Sequence, residues 1–329
     1  MDESLVRRNT VEVVEPAELT ELCHKSGHPT VYCGYETSGP VHIGHMMTVQ
    51  KLLDFQSAGF KVKVLFADIH TGLNRKGSED WIAEMVGFWK ECFVGLGLNK
   101  AEFVRGSDFQ YNREYVHDVL DIAQKTTLNR ALRSMQEVAR DMENAHTSQV
   151  IYPLMQIADI KHLNADVAYG GLEQRKIHML AREILPEVGY RKPVIVHTPL
   201  LCSLKGPESK MSSSVPDSLV AIDEAPESIA SKMKKAYCPP TKESNPVLDI
   251  VRYLIFPRKG TLTVERPEKF GGNTTYQNAD SLDSDYVSGK LHPADLKTAV
   301  AKNLAEILEP AREHLKKKGM TLPKQKTSI

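Results

Sequence analysis

Between Val41 and Ala58 apolar side chains recur at Ile43, Met46, Met47, Val49, Leu52, Leu53 and Phe55, and Gly59 follows. A recurrence every three to four residues, ended by glycine, predicts a helix that buries one face. The flanking runs read differently. Thr30–Gly34 is a short β-prone stretch after a proline, and Lys61–Asp68 alternates before turning wholly apolar, as a buried strand does. Strand, helix and strand within about 40 residues make a βαβ unit, with a right-handed crossover expected. A second helical stripe, from Trp81 through Met85, Trp89 and Phe93 to Leu96, ends at Gly97, and its tryptophans are expected in the core. Two polar helices between Glu114 and Asp141, a helix at Lys176–Leu185 and a strand at Pro193–His197 carry the alternation on to about Asp223. Past a hinge at Cys238-Pro-Pro-Thr the pattern is helical again and closes with Ala294–Lys318. The expectation is a doubly wound α/β domain with a parallel sheet over residues 1–225, carrying a helical connective insertion at about 105–150. A smaller, mostly helical domain over residues 226–329 would follow.

Composition acts mainly by exclusion. With 41% hydrophobic and 26% charged residues in 329, the chain reads as an ordinary globular protein. No apolar run approaches the 18 residues of a membrane span, and Met1-Asp2-Glu3-Ser4 does not open a secretory signal. Five scattered cysteines, never spaced CxxC, exclude a disulfide framework and a cysteine zinc site, and fit a cytoplasmic protein. Net charge is zero, but residues 229–329 hold 18 Lys+Arg against 11 Asp+Glu, so that end carries +7 and the remainder −7. Such asymmetry points to a polyanionic partner, although a solvated surface with a basic tail would leave the same imprint.

Two stretches carry chemistry. Gly34-Tyr-Glu-Thr-Ser-Gly-Pro-Val-His42-Ile-Gly44-His45 falls where the first strand hands over to the first helix, the place a nucleotide takes in an open α/β sheet. Gly39 permits a tight turn and Gly44 a close approach to the helix backbone. His42 and His45, three residues apart at a positive helix N-terminus, suit a polyphosphate whose charge grows during reaction. A zinc pair is the competing reading, but no third ligand of suitable type lies near, and chance remains open for so short a motif. The second stretch, Lys210-Met211-Ser212-Ser213-Ser214, sits in a Gly/Pro/Ser-rich segment. There a lysine and hydroxyls can close over a triphosphate. It is no Walker A loop, since GxxxxGK[ST] does not occur.

His-Ile-Gly-His followed about 165 residues later by Lys-Met-Ser-Ser-Ser resembles the paired signature of class I aminoacyl-tRNA synthetases. Tyr152-Pro-Leu-Met-Gln156-Ile-Ala-Asp159 and Asp166-Val-Ala-Tyr-Gly-Gly171-Leu-Glu-Gln174 narrow the likeness. They are similar to the amino-acid-binding region of the tyrosyl-tRNA synthetase family, archaeal and eukaryotic branch. The similarity runs on through Arg266-Pro-Glu-Lys-Phe270-Gly-Gly and Leu291-His292-Pro293-Ala-Asp295, nearly the whole chain. It implies a class I Rossmann-like domain and an anticodon-binding domain. The reaction implied is ATP- and Mg2+-dependent activation of L-tyrosine to tyrosyl-adenylate, then transfer to the terminal adenosine of tRNA(Tyr). A homodimer is also implied.

By that resemblance His42, His45, Lys210, Ser212 and Ser213 are catalytic, and Gly34, Gly44, Gly171 and Met211 join them around ATP. Gly44 would leave room for the adenine ring. Tyr152, Gln156 and Gln174 would hold the α-amino group, with Glu36 nearby, while Tyr32 and Asp159 take the phenolic oxygen. Leu65, Ala67 and His70, at the end of the second strand, would line the ring pocket. Arg133, Arg175 and Lys176 would read the acceptor end of the tRNA, and Phe270, His292, Pro293 and Asp295 its anticodon. Ser213 stands where many class I enzymes carry a second lysine, which leaves open what supplies that charge. Taken alone, Tyr32 reads as a strand residue with a satisfied hydroxyl, Asp159 as an ion-pair partner of Lys161 or His162, and Phe270 as core. Three rivals remain: a tryptophanyl-tRNA synthetase, which needs an indole partner in place of Tyr32 and Asp159; a non-catalytic RNA binder; and a small-molecule adenylyltransferase.

Overall fold

Six strands form one sheet in the computed structural model, which describes residues 1–25, 27–138, 144, 146–209, 211 and 215–325. In chain order they are β1 (Glu12–Val14), β2 (Thr30–Tyr35), β3 (Lys61–Phe66), β4 (Glu102–Arg105), β5 (Val167–Gly171) and β6 (Val194–Thr198). Their spatial order is β1-β6-β5-β2-β3-β4, parallel throughout except that β1 runs against β6. The chain steps outward from β2 through β3 to β4, then returns to β5 and steps the other way to β6. The direction reverses between β2 and β5, and a crevice opens beyond their carboxyl ends. β5 and β6 are buried along their whole length and β2 nearly so, which is why no clean alternation marks them.

The helix after β2 begins at Ile43, two residues later than its apolar pattern suggests, because His42 is extended and caps it; the short Glu3–Arg7 and Pro16–His24 helices precede it. In the Glu79–Gly95 helix both tryptophans are buried as expected. Trp89 does more than fill space: its indole N–H donates to the Gly39 carbonyl at 3.0 Å and fixes the turn before His42. That turn needs Gly39, whose φ is +79°. Between β4 and β5 the chain forms the Arg113–Lys125 and Leu128–Ser134 helices, followed by the long Thr147–His162 helix.

The C-terminal part is mostly helical and adds one hairpin, β7 (Leu262–Val264) paired antiparallel with β8 (Thr274–Tyr276). Its Pro293–Lys317 helix lies on the Glu79–Gly95 helix, so close that a Cβ on Gly95 would sit 2.8 Å from the Ala311 Cα. One apolar core therefore runs unbroken from Val31, Val64 and Phe66 through Trp89 and Phe93 to Leu304, Leu308 and Leu315. Among the described residues no helix is long and apolar enough to cross a membrane.

Candidate active site

A cavity of about 610 Å³ opens at the crevice between β2 and β5. Tyr32 to Glu36, Tyr169 to Gly171, Gln174 and the Tyr152, Gln156 and Asp159 face of the Thr147–His162 helix form its inner walls. His42, His45 and Met211 stand at its mouth.

At the mouth, two histidines cap one helix reciprocally. The His42 Nδ1 accepts the Gly44 N–H at 3.1 Å, and the His45 Nδ1 accepts the His42 N–H at 3.2 Å. Both Nδ1 atoms being acceptors, each ring carries its proton on Nε2. Burial pushes His42 down to about 4 and His45 well below the usual imidazole range, so the stacked rings, 3.8 Å apart, are neutral donors and not cations. Each Nε2, the ring nitrogen left over from the cap, carries a proton in this arrangement and so is a donor rather than a bare metal ligand. Gly44 has a tighter role than the one expected of it. A Cβ there would lie 2.9 Å from the His42 Cε1 and 3.4 Å from the Met211 Sδ, so the room it leaves is taken by the His42 ring. Lys210, Ser212, Ser213 and Ser214 lie outside the described residues.

The blind end is built around Asp159, which is 1% exposed. Its Oδ1 accepts from the Gln110 amide at 2.7 Å and from the Tyr115 hydroxyl at 2.8 Å. Its Oδ2 has no hydrogen-bond partner among the described residues, and the His70 Nε2 stands 3.6 Å away. Lys161 and His162, the alternative partners, both turn instead to Asp118, at 2.9 and 2.8 Å. Burial raises the Asp159 carboxyl, with His70, Gln110 and Tyr115 opposing it. Tyr32 is buried beside the same end, its hydroxyl lying 3.0 Å from where a Gly34 Cβ would be. Neither ring nitrogen of His70 has a hydrogen-bond partner among the described residues. His70 sits on the short Asp68–Leu73 helix and not on the preceding strand, which stops at Phe66. Ala67 lines the cavity, whereas Leu65 packs behind the wall with Tyr32 and Ala168. An unpaired buried carboxylate oxygen and an unpaired imidazole cost free energy unless something arrives to bond them.

Between mouth and blind end lies a polar shelf. The Gln156 Nε2 donates to the Gln174 Oε1 at 3.1 Å, and the Tyr152 hydroxyl donates to the Glu36 Oε1 at 2.7 Å. Glu36 also accepts from the Asn74 amide at 3.1 Å and pairs with Lys76, the only lysine or arginine lining the cavity among the described residues. A Cβ on Gly171 would meet the Glu173 carboxylate, which lies folded over that glycine and would have to move. Asn74, Lys76, Trp89, Gln110, Tyr115 and Glu173 are site residues that the sequence reading missed. Gln110 and Tyr115 lie in a polar Asp-Phe-Gln-Tyr-Asn turn and on the helix after it, with no periodicity to single them out.

Arg133, Arg175 and Lys176 come together outside the cavity, in a basic recess of about 790 Å³ shared with Arg130, Arg182 and Lys192. Two of them are ion-paired: Arg175 grips Glu12 with Nε and an NH2, and Lys176 pairs with Glu137 at 3.0 Å, while the Arg133 Nε donates to the Asn129 carbonyl at 3.4 Å. In the C-terminal part Phe270 is 61% exposed under the Lys269 ammonium, 5.0 Å from its ring centre, so a core role is excluded. Arg266 ties that loop to the Lys290 carbonyl at 3.0 Å, just before His292 caps the Pro293–Lys317 helix in whose first turn Asp295 lies.

The profile of the family described as tRNA synthetases class I (W and Y) matches residues 24–309. The tyrosine–tRNA ligase of Archaeoglobus fulgidus is 52% identical over 94% of this chain and 96% of its own, and that of Methanopyrus kandleri 50% over the same shares. The crystal structure of the Archaeoglobus fulgidus tyrosyl-tRNA synthetase complexed with L-tyrosine superposes with a TM-score of 0.92, covering 94% of this chain and 98% of that one. The Pyrococcus horikoshii tyrosyl-tRNA synthetase, also complexed with L-tyrosine, is 37% identical with a TM-score of 0.90 over 96% of each chain.

Proposed function

The chain belongs to the class I tRNA synthetases of the tryptophan and tyrosine group, and we propose that it joins L-tyrosine to tRNA(Tyr) in two steps on this one site. In the first, the tyrosine carboxylate attacks the α-phosphorus of ATP and the bond to pyrophosphate breaks. In the second, a hydroxyl of the terminal adenosine attacks the tyrosyl carbonyl and AMP leaves. The attacking carboxylate is already anionic, so the first step needs no general base, only alignment and stabilisation of charge.

The observation that carries this reading is the buried, unpaired Asp159 Oδ2 at the closed end of an aromatic-lined cavity. A phenol supplies the missing donor. Tyr32 and His70 stand beside it, Tyr152, Gln156 and Gln174 take the ammonium, and Glu36, held by Asn74 and Lys76, braces Tyr152. His42 and His45 donate Nε2–H to the phosphates, with Lys210, Ser212 and Ser213 around the departing pyrophosphate. Gly34, Gly44 and Gly171 let ATP approach, Gly44 by seating the His42 ring and Met211. Magnesium enters on the phosphates of ATP as part of the substrate. Among the described residues no three carboxylate, imidazole or thiolate side chains are grouped to hold a metal. Amino-acid-dependent ATP–pyrophosphate exchange with all twenty amino acids tests the reading: tyrosine should support it, and an equal response to phenylalanine or tryptophan overturns it.

Residues 226–329 serve as the anticodon-reading unit on the catalytic unit of residues 1–225, with Phe270 stacking on an unpaired base and Asp295 accepting from its edge, shaped by His292 and Pro293. Arg133, Arg175 and Lys176 receive the acceptor end. Asp295→Ala should lower tRNA charging by about 1–3 kcal/mol while leaving pyrophosphate exchange near wild type. An equal fall in exchange would mark Asp295 as structural. Rising salt should weaken tRNA binding steeply and exchange little, because only the first releases counterions from phosphate. Filter binding and exchange measured across one salt series check this. Tyr111, Val116, Leu120 and Leu128, all 46% exposed or more along the insertion, supply the apolar face through which two copies pair. Five free cysteines accord with work in the cytoplasm.

A further inference from the structure

A chain of hydrogen bonds leads from the basic recess into the cavity, and none of the roles above uses it. Glu12, on the edge strand β1, faces His197 of β6 in register. The Arg175 Nε lies 2.8 and 2.9 Å from the two oxygens of the Glu12 carboxylate. One of those oxygens lies 2.9 Å from the His197 Nδ1, and the His197 Nε2 lies 3.0 Å from the His178 Nδ1. His178 is one turn along the helix that Arg175 begins, is 1% exposed, and lines the cavity. A Cβ on Gly170 would lie 3.3 Å from the His178 Cε1 and 2.8 Å from the Gln174 Cγ, so both side chains fold over that glycine.

The direction of donation along this chain is forced. A carboxylate can only accept, so the His197 Nδ1 must donate to Glu12. Burial lowers the proton affinity of both imidazoles, that of His178 to about 3, so both are neutral. A neutral His197 protonated on Nδ1 has a bare Nε2, which accepts from the His178 Nδ1–H. His178 is left with a bare Nε2, and that atom has no hydrogen-bond partner among the described residues.

We propose that His178 is a further substrate-binding residue, whose Nε2 accepts an N–H or O–H of the bound substrate next to Gln174, and that His197 and Glu12 are positioning residues which hold it in the accepting tautomer. Two donors fit that chemistry: the tyrosine ammonium and a ribose hydroxyl of ATP. This rests on the tyrosine-activating reading above, but its first test needs no substrate. In the full chain labelled with 15N-histidine, with His178→Phe identifying the signals, His178 should show a protonated Nδ1 and a bare Nε2. The opposite tautomer overturns the proposal, whatever amino acid the protein activates.

The second test is kinetic. His178→Phe keeps the ring's bulk and should raise one KM in pyrophosphate exchange roughly tenfold with little change in the other, as the loss of one hydrogen bond does. A change in the KM of tyrosine identifies the ammonium as the donor, and a change in that of ATP identifies the ribose. Glu12→Ala, at the far end of the chain, should raise the same KM, and the double variant should add nothing further. Unchanged KM values in His178→Phe, or effects of the two substitutions that simply add, would overturn the relay.

Discussion

Replacing Asp159 with glycine and Tyr32 with leucine is expected to abolish the preference for tyrosine over phenylalanine. A site built to bond a hydroxyl rejects the analogue lacking it by on the order of 10⁴–10⁵, because the buried partner is left unpaired. Here that partner is the Asp159 Oδ2, sealed at the end of the cavity without a hydrogen-bond partner among the described residues, the His70 nitrogen standing 3.6 Å away. The double variant removes the acceptor and widens the end in one stroke. It also releases a donor, since the Gln110 amide donates to the Oδ1 that is lost, whereas the Tyr115 hydroxyl keeps the Met155 carbonyl at 2.9 Å. The enlarged pocket should therefore favour para substituents that accept hydrogen bonds, such as acetyl, over alkyl groups of the same size. Glycine inside the Thr147–His162 helix costs about 1 kcal/mol, a loss that leaves the fold intact. Values of kcat/KM in exchange for tyrosine, phenylalanine and para-acetylphenylalanine decide the matter. A double variant that still prefers tyrosine would mean that the hydroxyl is read by His70.

How much of this was legible in the sequence depends on how local the signal was. The βαβ unit, the tryptophan stripe and the last helix follow from periodicity and glycine stops, and each is present within one to three residues. β5 was invisible as a strand because Val-Ala-Tyr-Gly-Gly, buried on both faces, neither alternates nor carries a β-branched run. β1 is three residues long and is defined only by its pairing with β6. In the site, the motif residues could be named from the resemblance, but what fixes them could not. The clamp on Asp159 comes from Gln110 and Tyr115, 49 and 44 residues away in the chain. Glu12 reaches His197 across 185 residues. Spacing rules speak of neighbours within a turn or a strand, so long-range polar contacts of this kind escape them. His42 is the instructive case. Spacing sets both histidines at a helix N-terminus, but it does not show that His42 lies outside the helix and meets His45 through the cap.

That cap leads to the second large effect. Gly44→Ala should cut exchange activity by about 10²–10³ without unfolding the protein. Helix propensity alone argues the other way, since alanine in place of glycine within a helix gains about 1 kcal/mol. The contact geometry decides the sign. The new Cβ would stand 2.9 Å from the His42 Cε1 and 3.0 Å from its Nδ1, and that ring cannot swing aside freely. It is held by the Gly44 N–H on one side and stacked on His45, itself against Trp89 with ring centres 4.6 Å apart, on the other. Displacing the ring breaks the cap, which costs about 1 kcal/mol and roughly cancels the propensity gain, so the melting temperature should hardly move. Catalysis has no such compensation. Both Nε2–H donors lose their aim at the phosphates, and preorganised donors matter because they are already in place when charge develops. Tyrosine affinity, set at the other end of the cavity, should stay within about twofold of wild type, where 1.4 kcal/mol would mean tenfold. Exchange kinetics, equilibrium tyrosine binding and a melting curve on the one variant separate these effects. Wild-type exchange from Gly44→Ala would show that the His42 ring is not needed where the structure holds it, and a loss of tyrosine binding in step with exchange would show that the mouth and the blind end are not independent.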